Sequence, residues 1–137
     1  MVGSCVAVCF ADTINGIYGI NHYMLPGINP KKPDDPLYGE SAIRMLINKM
    51  TVFGADVRNM EARIYGGGKT VEHDLFKIGA RNARFALEFL AELEIPIMGK
   101  DLGGNHGRDI FYFCDTMRVV VNKVQNCTQE DEATHIS

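Results

Sequence analysis

The sequence predicts an α+β domain of mixed β-sheet covered by two helices. Three observations carry that expectation. An apolar run from Cys5 to Ala11 is seven residues long and rich in Val, Cys and Phe, the mark of a strand buried on both faces. Two later segments repeat apolar residues at helical spacing, and the remaining apolar stretches are short and strand-like. The order is two strands, helix, strand, helix, three strands, which is neither an alternating doubly wound pattern nor a pure sandwich. A chain of 137 residues has room for one packed core, assigned to residues 1–124 as a single domain.

Each element has a local reason. Residues 2–10 form the first strand, which stops at Ala11-Asp12, and residues 14–22 form its hairpin partner. Pro26, Pro30, Pro33 and Pro36 crowd the next segment with Gly27 and Asn29, a density that forbids helix and ladder alike, so 26–36 is a surface loop. Ala42, Ile43, Leu46, Ile47, Met50 and Phe53 then recur on one helical face. Gly54 stands where a C-cap glycine belongs, which sets a helix over 40–53. Met60, Ala62 and Ile64 alternate with Glu61 and Arg63, a strand with one buried face that Gly66-Gly67-Gly68 ends. Ile78, Phe85, Ala86, Phe89, Leu90 and Leu93 set a second helix, terminated by Pro96. Strands follow over 95–102, 109–114 and 118–124. Residues 125–137 are polar, acidic and aperiodic, a frayed tail.

Composition narrows the function classes. No apolar run approaches the roughly 18 to 20 residues that cross a bilayer, so membrane insertion is not expected. The first run has no basic segment before it and no small-residue cleavage site after it, so the expected location is cytoplasmic. Fourteen Lys and Arg against 17 Asp and Glu give a net charge of -3 with no basic cluster, which argues against a nucleic-acid partner. The cysteines at 5, 9, 114 and 127 are sparse and are read as reduced thiols. Cys114 and Cys127 are 13 residues apart without a nearby His, so no zinc site is expected.

Several motifs are weighed and set aside. Gly68-Lys69-Thr70 follows a strand as a phosphate loop does, but the glycine required five residues earlier is Arg63. Gly103-Gly104-Asn105-His106-Gly107 is a partial dinucleotide fingerprint with Leu102 at its first glycine position, and is better explained as a tight turn needing positive φ. His73 and His106 read as solvated loop histidines, and Cys9, Cys114 and Cys127 as small core residues.

Cys5 differs, because it follows Gly3-Ser4 near the start of the apolar strand, where small residues let a substrate backbone approach the thiol. His22, 17 residues later, ends the hairpin partner, so antiparallel pairing can bring the two together as a thiolate and imidazolium. On these residues alone, a core cysteine and an unrelated histidine remain the alternative.

Five segments in order then carry a resemblance: Gly3-Ser4-Cys5-Val6; Asn21-His22-Tyr23-Met24-Leu25-Pro26; Glu61-Ala62-Arg63-Ile64-Tyr65-Gly66-Gly67-Gly68; Ile78-Gly79-Ala80-Arg81-Asn82; and Asp101-Leu102-Gly103-Gly104 with Gly107-Arg108. Over residues 3–123 the chain resembles the chemoreceptor glutamine deamidase family, CheD. The resemblance implies the cysteine-hydrolase fold of deamidating bacterial toxins. It also implies action on glutamine side chains in the cytoplasmic domains of chemotaxis receptors. Some members of the family are receptor methylesterases, and some bind a CheC-type phosphatase. Carried over residue by residue, it implies Cys5 as nucleophile and His22 as base. The family's third active-site residue, a threonine upstream of the Gly-Ser-Cys motif, would fall before Met1. The chemistry implied is acyl transfer through a cysteine thioester, with the oxyanion held by backbone amides near Ser4 and Cys5 and with no metal or organic cofactor. A non-catalytic adaptor on the same fold, binding receptors or a phosphatase, is the alternative function.

Overall fold

The computed structural model describes residues 1–69, 76–114, 116 and 118–124. Thr70, His73, Cys127 and the tail expected over 125–137 lie outside the described residues. The elements are β1 (Val6–Asp12), β2 (Ile17–Tyr23), α1 (Gly39–Val52), a 3-10 turn (Val57–Asn59), β3 (Met60–Gly66), α2 (Ile78–Glu92), β4 (Ile97–Leu102), β5 (Gly107–Phe113) and β6 (Arg118–Val124). Four strands form a mixed sheet in the order β2-β1-β3-β4, antiparallel except for the β3–β4 pair, and β5 and β6 form a separate antiparallel ribbon. This is the α+β architecture expected from the sequence. The parallel pair follows from α2, since strands joined through a helix return in the same direction.

β1 is buried along its whole length because the sheet is covered on both sides. Val6, Val8 and Phe10 belong to the core with Ile43 and Met50 of α1 and Ala86, Phe89 and Leu90 of α2. The alternate residues Ala7, Cys9 and Ala11 are small, which lets the ribbon approach the other face: Ala7 and Ile110 line one small cavity, and the Tyr112 hydroxyl donates to the Phe10 carbonyl at 3.0 Å. Glycine serves close packing at the start of α1, where a β-carbon on Gly39 would sit 2.6 Å from the Phe85 ring.

β1 runs on to Asp12 instead of stopping at residue 10, β2 spans Ile17–Tyr23 instead of 14–22, and three strand starts differ from the sequence expectation for a tertiary reason. The first strand opens at Val6 rather than at residue 2, because Val2 exchanges two backbone hydrogen bonds with Arg108, at 2.7 and 2.9 Å. Residues 3–5 therefore bend between two pairings. The same exchange starts β5 at Gly107 instead of 109. β4 opens at Ile97, since the Ile95 amide caps α2 by donating to the Leu90 carbonyl and Pro96 has no donor.

The β1–β2 hairpin is closed by a buried carboxylate. Asp12 accepts from the amides of Ile14, Asn15 and Asp56 at 3.1, 3.0 and 2.8 Å and from Asn15 Nδ2 at 2.8 Å. Burial alone would raise its pKa, but these donors outweigh burial and hold the carboxyl below its ordinary value. A depressed carboxyl contributes stability that is present above the unfolded-state pKa of about 3.9 and is lost as pH falls through the folded value. Asp12→Ala should therefore cost about 1 to 3 kcal/mol at neutral pH, because three amides lose their acceptor. Urea melts of both proteins at about pH 7 and about pH 3 should show the gap narrowing in acid. A gap that does not change with pH would mean that the ionised carboxylate is not its source.

Candidate active site

Cys5 lies in the bend just before β1, and its backbone is held from three directions. The Gly68 amide donates to the Gly3 carbonyl at 2.9 Å, Asn82 Nδ2 to the Ser4 carbonyl at 2.9 Å, and the Gly67 amide to the Cys5 carbonyl at 2.8 Å. Three consecutive carbonyls are thus engaged by a glycine turn and by a side chain of α2. Gly66 and Gly67 adopt φ of +119° and +66°, and a β-carbon on Gly66 would collide with the Cys5 carbonyl oxygen. The turn exists in this form because its residues are glycine.

Arg108 locks the other side of that turn. Its side chain is 1% exposed, and its Nη2 donates to Asp101 Oδ1 at 3.1 Å and to the Gly103 carbonyl at 2.8 Å. Nη1 reaches the Gly66 carbonyl at 3.3 Å. The Gly103 amide donates to the same Gly66 carbonyl at 2.9 Å, with Gly103 and Gly104 at positive φ as the sequence predicts. The separate Gly-rich, Asp-Leu-Gly-Gly and Gly-Arg segments thus form one unit behind Cys5.

His22 stands at the same end of the β1–β2 ladder. Val6 pairs with Tyr23 and Ala7 with His22, so Cys5 precedes the first ladder pair and His22 belongs to the second. Cys5 is half-buried and His22 is exposed on the edge strand β2. His22, Ala7, Val2 and Ile110 line a cavity of about 200 Å³. Burial pushes the Cys5 thiol above its ordinary value; its own backbone N–H and the N-terminal ammonium pull the other way without cancelling the effect. That direction disfavours the thiolate which the sequence reading pairs with His22. The physical reason is the half-buried bend.

The remaining sequence candidates are distributed as follows. Cys9 is buried in β1 as expected, its thiol pushed up to about 12 by burial. Cys114 is exposed rather than in the core. His106 is half-buried rather than solvated, because the Gly103-Gly104 turn folds over its ring; burial and then the Arg108 charge hold its imidazole below the ordinary value. Among the described residues, no three His, Cys, Asp or Glu side chains gather as a metal set would. Asn82 and Arg108 received no role from the sequence. For Asn82 a signal existed: it lies four residues after Ile78 and four before Ala86, on the apolar stripe of the helix, where a polar residue must find buried partners.

Residues 24–123 match the family described as CheD chemotactic sensory transduction. That match begins just after His22. Alignments with individual relatives extend further. A protein of Methylobacillus flagellatus is 37% identical over 131 residues, covering 91% of this chain and 64% of its own length. One from Stenotrophomonas maltophilia is 38% identical over 133 residues, with 96% and 67% covered, and one from Rhizobium etli 40% over 116 residues, with 82% and 62% covered. Each is named probable chemoreceptor glutamine deamidase CheD. The chain therefore spans about two thirds of the length of these relatives.

Two glycine substitutions separate backbone strain from collision. Gly54 has φ +114° with open space around it, whereas Gly66 has φ +119° against the Cys5 carbonyl. Gly54→Ala should cost about 1 to 2 kcal/mol through strain alone. Gly66→Ala should cost more in thermal unfolding, and it alone should change the rate at which iodoacetamide labels Cys5. Equal effects of the two substitutions on both measurements would mean that the turn does not hold Cys5.

Proposed function

The chain belongs to the CheD family, and on that premise we propose that it is a chemoreceptor glutamine deamidase that converts glutamine side chains to glutamate through a Cys5 thioester. The observation that carries the reading is the convergence on Cys5: two segments distant in sequence, the glycine turn and α2, hold the backbone of residues 3–5 at the ladder end where His22 stands. Such restraint is needed where a thiol must meet a carbonyl carbon at a fixed angle. An exposed base on an edge strand suits a side chain presented by another protein, here the cytoplasmic domains of chemotaxis receptors.

The Cys5 sulfur attacks the carboxamide carbon as His22 takes the thiol proton, and the amides of Ser4 and Cys5 hold the oxyanion. Because burial disfavours the thiolate, His22 acts as general base during attack. It then returns the proton to the departing ammonia. Water, deprotonated by the same imidazole, cleaves the thioester and leaves a carboxylate on the receptor and a thiol on Cys5. Each turnover adds one negative charge to a helical bundle, which changes its packing balance. The same reading places the protein in the cytoplasm with a CheC-type phosphatase as a second partner.

The test is incubation with receptor cytoplasmic fragments, followed by mass spectrometry for a gain of about one dalton per converted glutamine. Cys5→Ser and His22→Asn should each lower turnover by about 10³-fold or more in folded protein, while Cys9→Ser keeps most of it. Receptor binding without any mass gain would favour the adaptor. The free protein should also alkylate at Cys5 with a midpoint above the ordinary thiol value of about 8.5. A midpoint well below that value would restore the preformed ion pair.

A further inference from the structure

Asn82 lies in the first part of α2 and is fully buried. Its Nδ2 donates both hydrogens to backbone carbonyls, to Ser4 and to Met24, each at 2.9 Å. Ser4 immediately precedes Cys5, and Met24 follows His22 by two residues. One planar group therefore ties the segment that carries the sulfur to the segment that carries the imidazole. Its orientation is determined, because turning the amide over would set an oxygen against two carbonyls. Tyr23 secures the helix at the same level, its hydroxyl donating to the Asn82 carbonyl at 2.6 Å.

The other end of the carboxamide is informative. Asn82 Oδ1 is buried with no hydrogen-bond partner among the described residues, a desolvation cost that accompanies the two bonds Nδ2 makes. What the carboxamide gains lies in those two bonds, one to the segment of Cys5 and one to the segment of His22. We propose that Asn82 is a positioning residue of the reaction, which sets the Cys5 backbone, and with it the oxyanion-binding amide, relative to His22. The proposal rests on the deamidase reading for the use made of this geometry.

The experiment compares wild type, Asn82→Ala, Asn82→Asp and Tyr23→Phe by turnover on a receptor cytoplasmic fragment, by the pH profile of Cys5 alkylation with iodoacetamide, and by thermal unfolding. Asn82→Ala should lower kcat about tenfold to a hundredfold with KM within about threefold, and should change the alkylation profile of Cys5. Tyr23→Phe should lower Tm yet keep kcat within about twofold, since it removes the helix anchor and leaves both Nδ2 bonds. A folded Asn82→Ala with kcat within about twofold of wild type would overturn the proposal. So would a fall in kcat that Tyr23→Phe reproduces. Should Asn82→Ala not fold, Asn82→Asp decides: a buried carboxyl facing two carbonyls stays protonated with one donor, and kcat should fall as pH rises through its ionisation. A kcat profile superimposable on wild type would overturn the assignment. Wild type inactive on receptor fragments would defeat the deamidase reading alone, and the alkylation profiles would still decide on Asn82, a shift in either variant supporting it and identical curves refuting it.

Discussion

The turn at Gly66-Gly67-Gly68 is the constraint on which the rest depends. Within three residues it accepts at Gly66 from the Gly103 amide and the Arg108 guanidinium, and it donates from Gly67 and Gly68 to the carbonyls of Cys5 and Gly3. A backbone can make this many bonds over so short a distance only if it turns at positive φ and nothing projects from it. Close approach extends to α2, since a β-carbon on Gly67 would lie 2.8 Å from the Gly79 carbonyl. Any side chain there would push the helix away and carry Asn82 out of reach of Ser4. The turn thus determines both where Cys5 lies and what can hold it.

Arg108 illustrates a different kind of constraint. A guanidinium at 1% exposure loses nearly all its hydration, and its one charge partner among the described residues, Asp101, is 43% exposed and so still screened by water. Buried ion pairs of this sort add little net stability compared with apolar packing of the same volume. Geometry is the better account of what Arg108 does. Its fork joins the end of β3 to the turn after β4, while its backbone pairs with Val2, so one residue links the four-stranded sheet, the ribbon and the N-terminal segment. Lysine, a point charge on a flexible stem, could not span the same three acceptors.

Periodicity made the helices and the buried strand readable, because both depend on local spacing of apolar residues and neither needs a distant partner. Ile43 and Met50 face the core for the reason the spacing gives, and Gly54 ends α1 at positive φ. The ends of β1 and β5 were not readable, since they are set by the Val2–Arg108 exchange across more than a hundred residues. The candidate pair was readable in part. Gly-Ser-Cys and the following histidine drew attention through small residues and spacing, but the restraints behind them are backbone carbonyls bonded by glycines and by an amide on a helix, and backbone acceptors leave no trace in a sequence. His106 and Cys114 went astray for the same reason in reverse: their surroundings are decided by how a turn folds back and how far the ribbon extends.

The start of β1 also sets the surroundings of Cys5 and Cys9 apart. Cys5 and Cys9 are four residues apart on one segment, and burial raises both thiols. Cys9 lies inside the ladder, paired with Ile20 on one side and Arg63 on the other, and is 2% exposed. Had the ladder continued from Val6 to residue 2, Cys5 would have been enclosed in the same way. The bend created by the Val2–Arg108 pairing removes it from the sheet, leaves it half-buried, and keeps it beside the exposed end of β2. Burial in that position disfavours ionisation of the thiol in the free protein. The exposure of Cys5 follows from where a strand stops, and the strand stops because an arginine elsewhere in the chain has engaged the backbone that would have continued it.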